Sequence, residues 1–187
     1  LEDIGMFRAL PNSAIFYPSD AVSAEKLTLL ASKRNGIKYI RTTRPKTKII
    51  YNNNEEFPIA DFKVLRESKK DKIVLIGAGI TLHECLKAYD ELIKRGIETA
   101  VIDLYCIKPL NTEKLIDFVK KHGNKVIVVE DHYAQGGIGE ALGLKLGNHG
   151  IDVKHLCIRE IPHSGKGEEL LDLYGISAKL IVWAVKG

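Results

Sequence analysis

Residues 72–105, KIVLIGAGITLHECLKAYDELIKRGIETAVIDLY, decide the fold. They open on a continuous apolar run, KIVLIG at 72–77, and pass through a glycine-rich turn. A helical stretch over 80–95 comes next, and a second apolar run, TAVIDLY, occupies 99–105. Short unbroken apolar runs bounded by glycine are strands buried on both faces. The same alternation continues downstream. A helix is predicted over 111–122, a strand at KVIVVED (125–131), a helix over 137–147, a strand at DVKHLCI (152–158), and helical segments over 167–174 and 177–186. Strands alternating with helices of roughly 10–15 residues imply a mainly parallel, doubly wound sheet covered on both faces.

Upstream the pattern is less regular. Residues 2–10 read as a helix and 13–20 as a short buried strand closed by Pro18, with Ser19 and Asp20 placed to cap the next helix. That helix ends at Gly36 and carries Leu27, Leu29, Leu30 and Ala31 on its apolar face, and a strand occupies 37–41. Residues 42–62 are polar, hold two prolines and three consecutive asparagines, and lack either periodicity, so they read as a linker or extended loop. The expectation is an α/β chain in two parts, 1–62 and 63–187, the first incomplete at its start. Without an initiator methionine, the chain is expected to begin inside a larger protein.

With 187 residues and 45% hydrophobic content there is ample material for a core. The net charge of +4 is dispersed and matched by many acids, and no aromatic-interleaved basic stripe accompanies it, which argues against nucleic-acid binding. The longest apolar run, LIVWAV at 180–185, is far short of the roughly 20 residues that span a bilayer. Cys85, Cys106 and Cys157 stand singly in apolar settings without metal-ligand spacing, as small core residues of a reducing, cytoplasmic compartment do.

Each motif has two readings. In LIGAGITLHE (75–84), Gly77 and Gly79 could admit a phosphate to a helix N-terminus, but Leu82 stands where a dinucleotide fingerprint needs glycine. A turn that packs the helix on the sheet is the favoured reading. In VVEDHYAQGGIGEAL (128–142), Glu130, Asp131 and His132 end a strand, and Gly136, Gly137 and Gly139 open a helix at the edge where ligands sit in such folds. Metal or acid–base chemistry would need partners that the sequence does not locate, so an acid pair that orients the glycine turn, or an interface role, is favoured. His83, His155 and His163 are unaccompanied and are read as non-catalytic. IPHSGK (161–166) lacks phosphate-loop spacing. RTTRPKTK (41–48) places Arg41 and Arg44 at a strand end, stiffened by Pro45. It serves either as a bidentate grip for phosphate or carboxylate, or as a solvated basic loop.

Taken in order, LEDIGMFRALPNSAIFYPSDAVSAEKL, IRTTRPKTKIIYNNNEEF, LIGAGITLHE, IKPL, VEDHYAQGGIGEA, SGK and LYGIS resemble the carboxyl-terminal part of animal-type transketolases and transketolase-like proteins across essentially the whole chain. The resemblance implies a parent enzyme of the pentose phosphate pathway. It would depend on thiamine diphosphate and a divalent metal, magnesium or calcium, and move a two-carbon ketol unit from a ketose phosphate to an aldose phosphate as a homodimer. It makes Arg44 the contact for the sugar phosphate. It also implies that 1–62 completes a pyrimidine-binding domain, while 63–187 forms the carboxyl-terminal domain. The family's diphosphate motif and activating glutamate are absent. No catalytic, cofactor-binding or metal residue is therefore assigned, and the chain alone is expected to bind no cofactor and to be inactive. A free-standing interaction module and a small anion-binding protein remain the alternatives.

Overall fold

In the computed structural model, which describes residues 1–187, five strands form the main sheet. They are β3 (Lys63–Arg66), β4 (Val74–Gly77), β5 (Ala100–Asp103), β7 (Lys125–Tyr133) and β8 (Asp152–Ile158), in the order β3-β5-β4-β7-β8. Pairings among β5, β4, β7 and β8 are parallel, and β3 adds an antiparallel edge to β5. Successive strand residues face opposite sides, so the sheet divides its apolar side chains between two cores. Val74, Ile76, Ala100, Ile102, Val126 and Val128 meet helices α4 (Thr112–Lys121) and α5 (Ile138–Gly147). Leu75, Val101, Ile127 and Val129 meet α3 (Ile80–Lys94) and α7 (Ala178–Lys186). This is the doubly wound mixed α/β arrangement expected from the alternation.

Local signals set the helix ends. Leu82, Cys85, Ala88 and Leu92 recur at helical spacing along the buried face of α3. Asn111 caps α4 by accepting from the Lys114 amide, with Lys120 and Lys121 at the opposite, electronegative end. One further helix of the main sheet, α6 (Gly167–Leu173), comes after β8.

The first forty residues supply α1 (Asp3–Ala9), β1 (Ala14–Phe16), α2 (Ala21–Ser32) and β2 (Lys38–Ile40). Asp20 caps α2 in a reciprocal box with Ser23. A small second sheet runs β2-β1-β6, where β6 (Cys106–Lys108) pairs antiparallel with β1. Two elements correct the sequence reading. The apolar run 99–105 is a strand only to Asp103, after which the chain leaves the main sheet and β6 joins the other one. The strand β3 has no counterpart in the sequence pattern: it is a four-residue, half-exposed edge with a charge at each end. Residues 42–62 carry neither helix nor strand, apart from a single bridge between Ala60 and Leu110.

Candidate functional site

In a sheet of this winding, ligands are expected at the carboxyl ends of the strands where the order reverses, here between β4 and β7. That place is filled by the chain itself. Gly79, at φ +56°, lies under Tyr17 so closely that a Cβ would stand 2.0 Å from the ring. A Cβ on Gly77 would stand 2.8 Å from Leu82 Cα, so the first glycine seats α3. Gly136 likewise abuts the backbone of Gly5 in α1. The Tyr17 hydroxyl donates to Asp131 Oδ2 at 2.9 Å, and Tyr17 is 1% exposed. Gly79 and Gly136, one from each motif, therefore admit the N-terminal layer of the chain.

The acidic cluster at the end of β7 splits, because adjacent strand residues point to opposite sides. Glu130 turns to the N-terminus of α5, where it accepts from the Ile138 amide at 2.6 Å and the Gly139 amide at 2.9 Å and also meets His155 Nε2. It orients the glycine turn. Asp131 faces the other way, toward Tyr17 and Arg41. His132 is fully buried, with Nδ1 2.8 Å from the Tyr133 carbonyl oxygen and Nε2 accepting from the Gly5 amide at 3.4 Å.

The two arginines of RTTRP have separate fates. Arg41 is 11% exposed and its fork is fully engaged. Nη1 donates to Asp131 Oδ1 and Nη2 to the Asp131 carbonyl, both at 3.0 Å; Nε lies 3.0 Å from Asp3 Oδ2; and the guanidinium sits over the Tyr17 ring. Burial works against charge on Arg41, but Asp131, Tyr17 and Asp3 more than offset it and hold its pKa above the ordinary value. Burial also pushes the Asp131 carboxyl upward, against the pull of Arg41 and the Tyr17 hydroxyl. Arg44, three residues on, is exposed and makes no ion pair. It stands on the rim of a cleft of about 940 Å³. The loop 42–49 brings Arg44, Lys46 and Lys48 to this cleft, β3 brings Arg66, and α3 brings His83 and Lys87. His83, unaccompanied in the sequence, has a partner in the fold: its Nε2 lies 2.7 Å from the Ser19 carbonyl oxygen. His163 also lines the cleft.

A diphosphate and its metal do not fit these residues. No group of three or more His, Cys, Asp or Glu side chains could hold a metal ion, and the glycine turn of 77–79 is closed by Tyr17.

Fold and site together define a doubly wound α/β domain whose ligand edge is occupied by its own N-terminal layer, with Arg44 and Arg66 exposed and outside any ion pair at the adjoining cleft. Residues 62–181 match the family described as "Transketolase, C-terminal domain". The whole chain is 52% identical to transketolase-like protein 1 of Bos taurus and 47% identical to human transketolase, and it covers 31% and 30% of their lengths. A solved structure titled "Split gene transketolase, inactive beta4 tetramer" superimposes with a TM-score of 0.90 at 28% identity, over 99% of this chain and 60% of that one. The transketolase of Campylobacter jejuni shares the fold, with a TM-score of 0.78 at 24% identity, over all of this chain and 28% of that one. The chain belongs to the transketolase family and spans about three tenths of the length of the curated relatives it matches.

Proposed function

We propose that this chain forms the carboxyl-terminal part of a cytoplasmic transketolase, in which Arg44 binds the phosphate of the sugar substrate. The reaction moves a two-carbon ketol unit from a ketose phosphate to an aldose phosphate. Thiamine diphosphate and its magnesium or calcium ion would supply the carbanion chemistry, gripped by residues outside these 187. The observation that carries the reading is the division of labour between the two arginines. Arg41 is consumed by Asp131 and Asp3, while Arg44 keeps its planar fork free at the rim of a cleft that it shares with Lys46, Lys48 and Arg66 and with the carboxylates Asp90 and Glu168. A planar fork suits a phosphate through two parallel hydrogen bonds.

In the catalytically complete protein, Arg44→Ala should remove a charge-assisted pair worth about 1.5–3 kcal/mol. That corresponds to roughly tenfold to 150-fold in kcat/KM for a phosphorylated acceptor. An unphosphorylated aldose should barely respond, and Arg44→Lys should recover only part of the loss because a point charge does not reproduce the fork. Equal losses with both acceptors would show that Arg44 serves the fold instead. By itself the 187-residue chain is proposed to transfer no ketol groups and to give no saturable heat with thiamine diphosphate in calorimetry; turnover by the chain alone would refute this.

Self-association is part of the reading. Five of the eleven exposed large apolar side chains, Leu1, Met6, Leu10, Leu29 and Ile37, fall within the first forty residues, which is the segment proposed to pair subunits. The split-gene relative, by its title a tetramer, supports association of chains of this kind. Sedimentation at high concentration should show a dimer or larger, and a strict monomer would count against it.

A further inference from the structure

The loop that carries Arg44 is exposed at most positions from Thr42 to Ile49, yet both of its ends are fixed to carboxylates. At the far end, Asp20 Oδ2 accepts from the Ile50 amide at 2.7 Å and the Tyr51 amide at 2.9 Å. The Tyr51 hydroxyl then donates to Asp103 at 2.6 Å, a fully buried carboxylate on β5 that also receives the Ser19 hydroxyl at 3.0 Å. At the near end stands Arg41, held by Asp131 on β7 through one side-chain and one main-chain contact. Asp3 takes the remaining Nε, and Tyr17 covers the guanidinium face. Only Thr42 and Thr43 separate this immobilised arginine from Arg44.

Resting on the phosphate reading of Arg44, we propose that Asp131 is a positioning residue for the substrate phosphate: by clasping Arg41 it fixes the loop from which Arg44 reaches its ligand. The carboxyl-terminal domain thereby acts on a binding group borne by the preceding segment. The physical reason is pre-organisation. A loop already ordered at both ends spends little conformational entropy when the phosphate docks, whereas a loop released at one end must be ordered at that moment. Asp131→Asn keeps an acceptor for both Arg41 and Tyr17 but removes the charge, so it loosens the clasp without emptying the space.

The test pairs kinetics of the complete transferase with amide hydrogen exchange on the 187-residue chain. Asp131→Asn should raise KM for ribose 5-phosphate about tenfold, with little change in kcat or in the kinetics of an unphosphorylated aldose. Amides of 42–48 should exchange faster, while those of β4 and β7 stay protected. In an Arg44→Ala background the same change should add nothing to KM. Arg41→Lys, which keeps the cation and loses the fork, should reproduce the pattern if Asp131→Asn fails to fold. An Asp131→Asn enzyme with wild-type KM, or exchange that rises throughout the sheet, would overturn the positioning role. Full activity in Arg44→Ala would instead overturn the reading of Arg44, and unchanged exchange at 42–48 would then overturn the clasp as well.

Discussion

Glu130→Ala should cost about 3–5 kcal/mol of folding stability, the range for removing one partner of a buried ion pair. Glu130 is 1% exposed and serves three donors at once: the Ile138 amide, the Gly139 amide and His155. The N-cap of α5 is Gly137, which has no side chain to satisfy the first amides of the helix, so the carboxylate arriving from β7 takes that part. The fit is close. A Cβ on Gly137 would lie 2.5 Å from the carboxylate, and one on Gly139 would lie 2.3 Å from the His155 ring. Truncation therefore strands two buried amides and leaves the imidazolium without its counter-charge. Glu130→Gln should fall between, since one oxygen still accepts while its amide group faces donors. Urea melts of the three proteins check this, and an alanine variant within about 1 kcal/mol of wild type would refute the account.

The same pair gives stability a pH dependence of defined sign. Burial by itself would lower the His155 pKa, but hydrogen bonding to Cys157 and Glu130 and the charge of Glu130 carry it up to about 9. A group whose pKa is higher in the folded state than in the unfolded chain stabilises fully below the unfolded value, near 6.5, and loses that contribution as pH rises through about 9. The melting temperature should accordingly fall between pH 6.5 and 9, and His155→Gln should flatten that fall. A slope unchanged by the substitution would assign it to other groups.

How much of the fold is legible in the sequence depends on how locally each burial is written. The strands β4 and β5 and the body of β7 are apolar on both sides, so the chain around them announces them, while β8 is partly polar and is announced by its place in the alternation. The strand β3 is hidden because its apolar part is only two residues long: Val64 and Leu65 pack on opposite cores between two charged, partly exposed ends, too short a run to register. The strand β6 directly follows the apolar run 99–105 and joins the second sheet, a choice made by its pairing with β1 some ninety residues earlier. The role of Glu130 is legible because its glycine turn comes within nine residues. That of Asp131 is not, since its partners Arg41 and Tyr17 lie 90 and 114 residues away. Arg41 and Arg44 look alike in sequence, and only the fold separates the arginine that is spent from the one that is free.

Gly79→Ala tests the part of the structure least visible in the sequence, the closure of the ligand edge by the N-terminal layer. A methyl group there would meet Tyr17 Cε2 at 2.0 Å and Cζ at 2.1 Å, and the backbone at φ +56° disfavours any Cβ. Tyr17 cannot swing aside cheaply: its hydroxyl is held by Asp131, Arg41 covers its face, and it belongs to the main core. Overpacking and left-handed strain together should cost about 2–5 kcal/mol. The loss should be uneven, with amides of α1 and β1 losing protection before those of β4 and β7, because the clash lies between the two layers. Adding Tyr17→Leu should restore part of the loss, so that the two changes combine to less than their sum. Had Gly77–Gly79 been kept open for a phosphate, the methyl group would fall in free space and stability would hardly change. A Gly79→Ala chain that melts with wild type, with uniform protection across both layers, would reinstate that reading and reopen the edge between β4 and β7 as a ligand site.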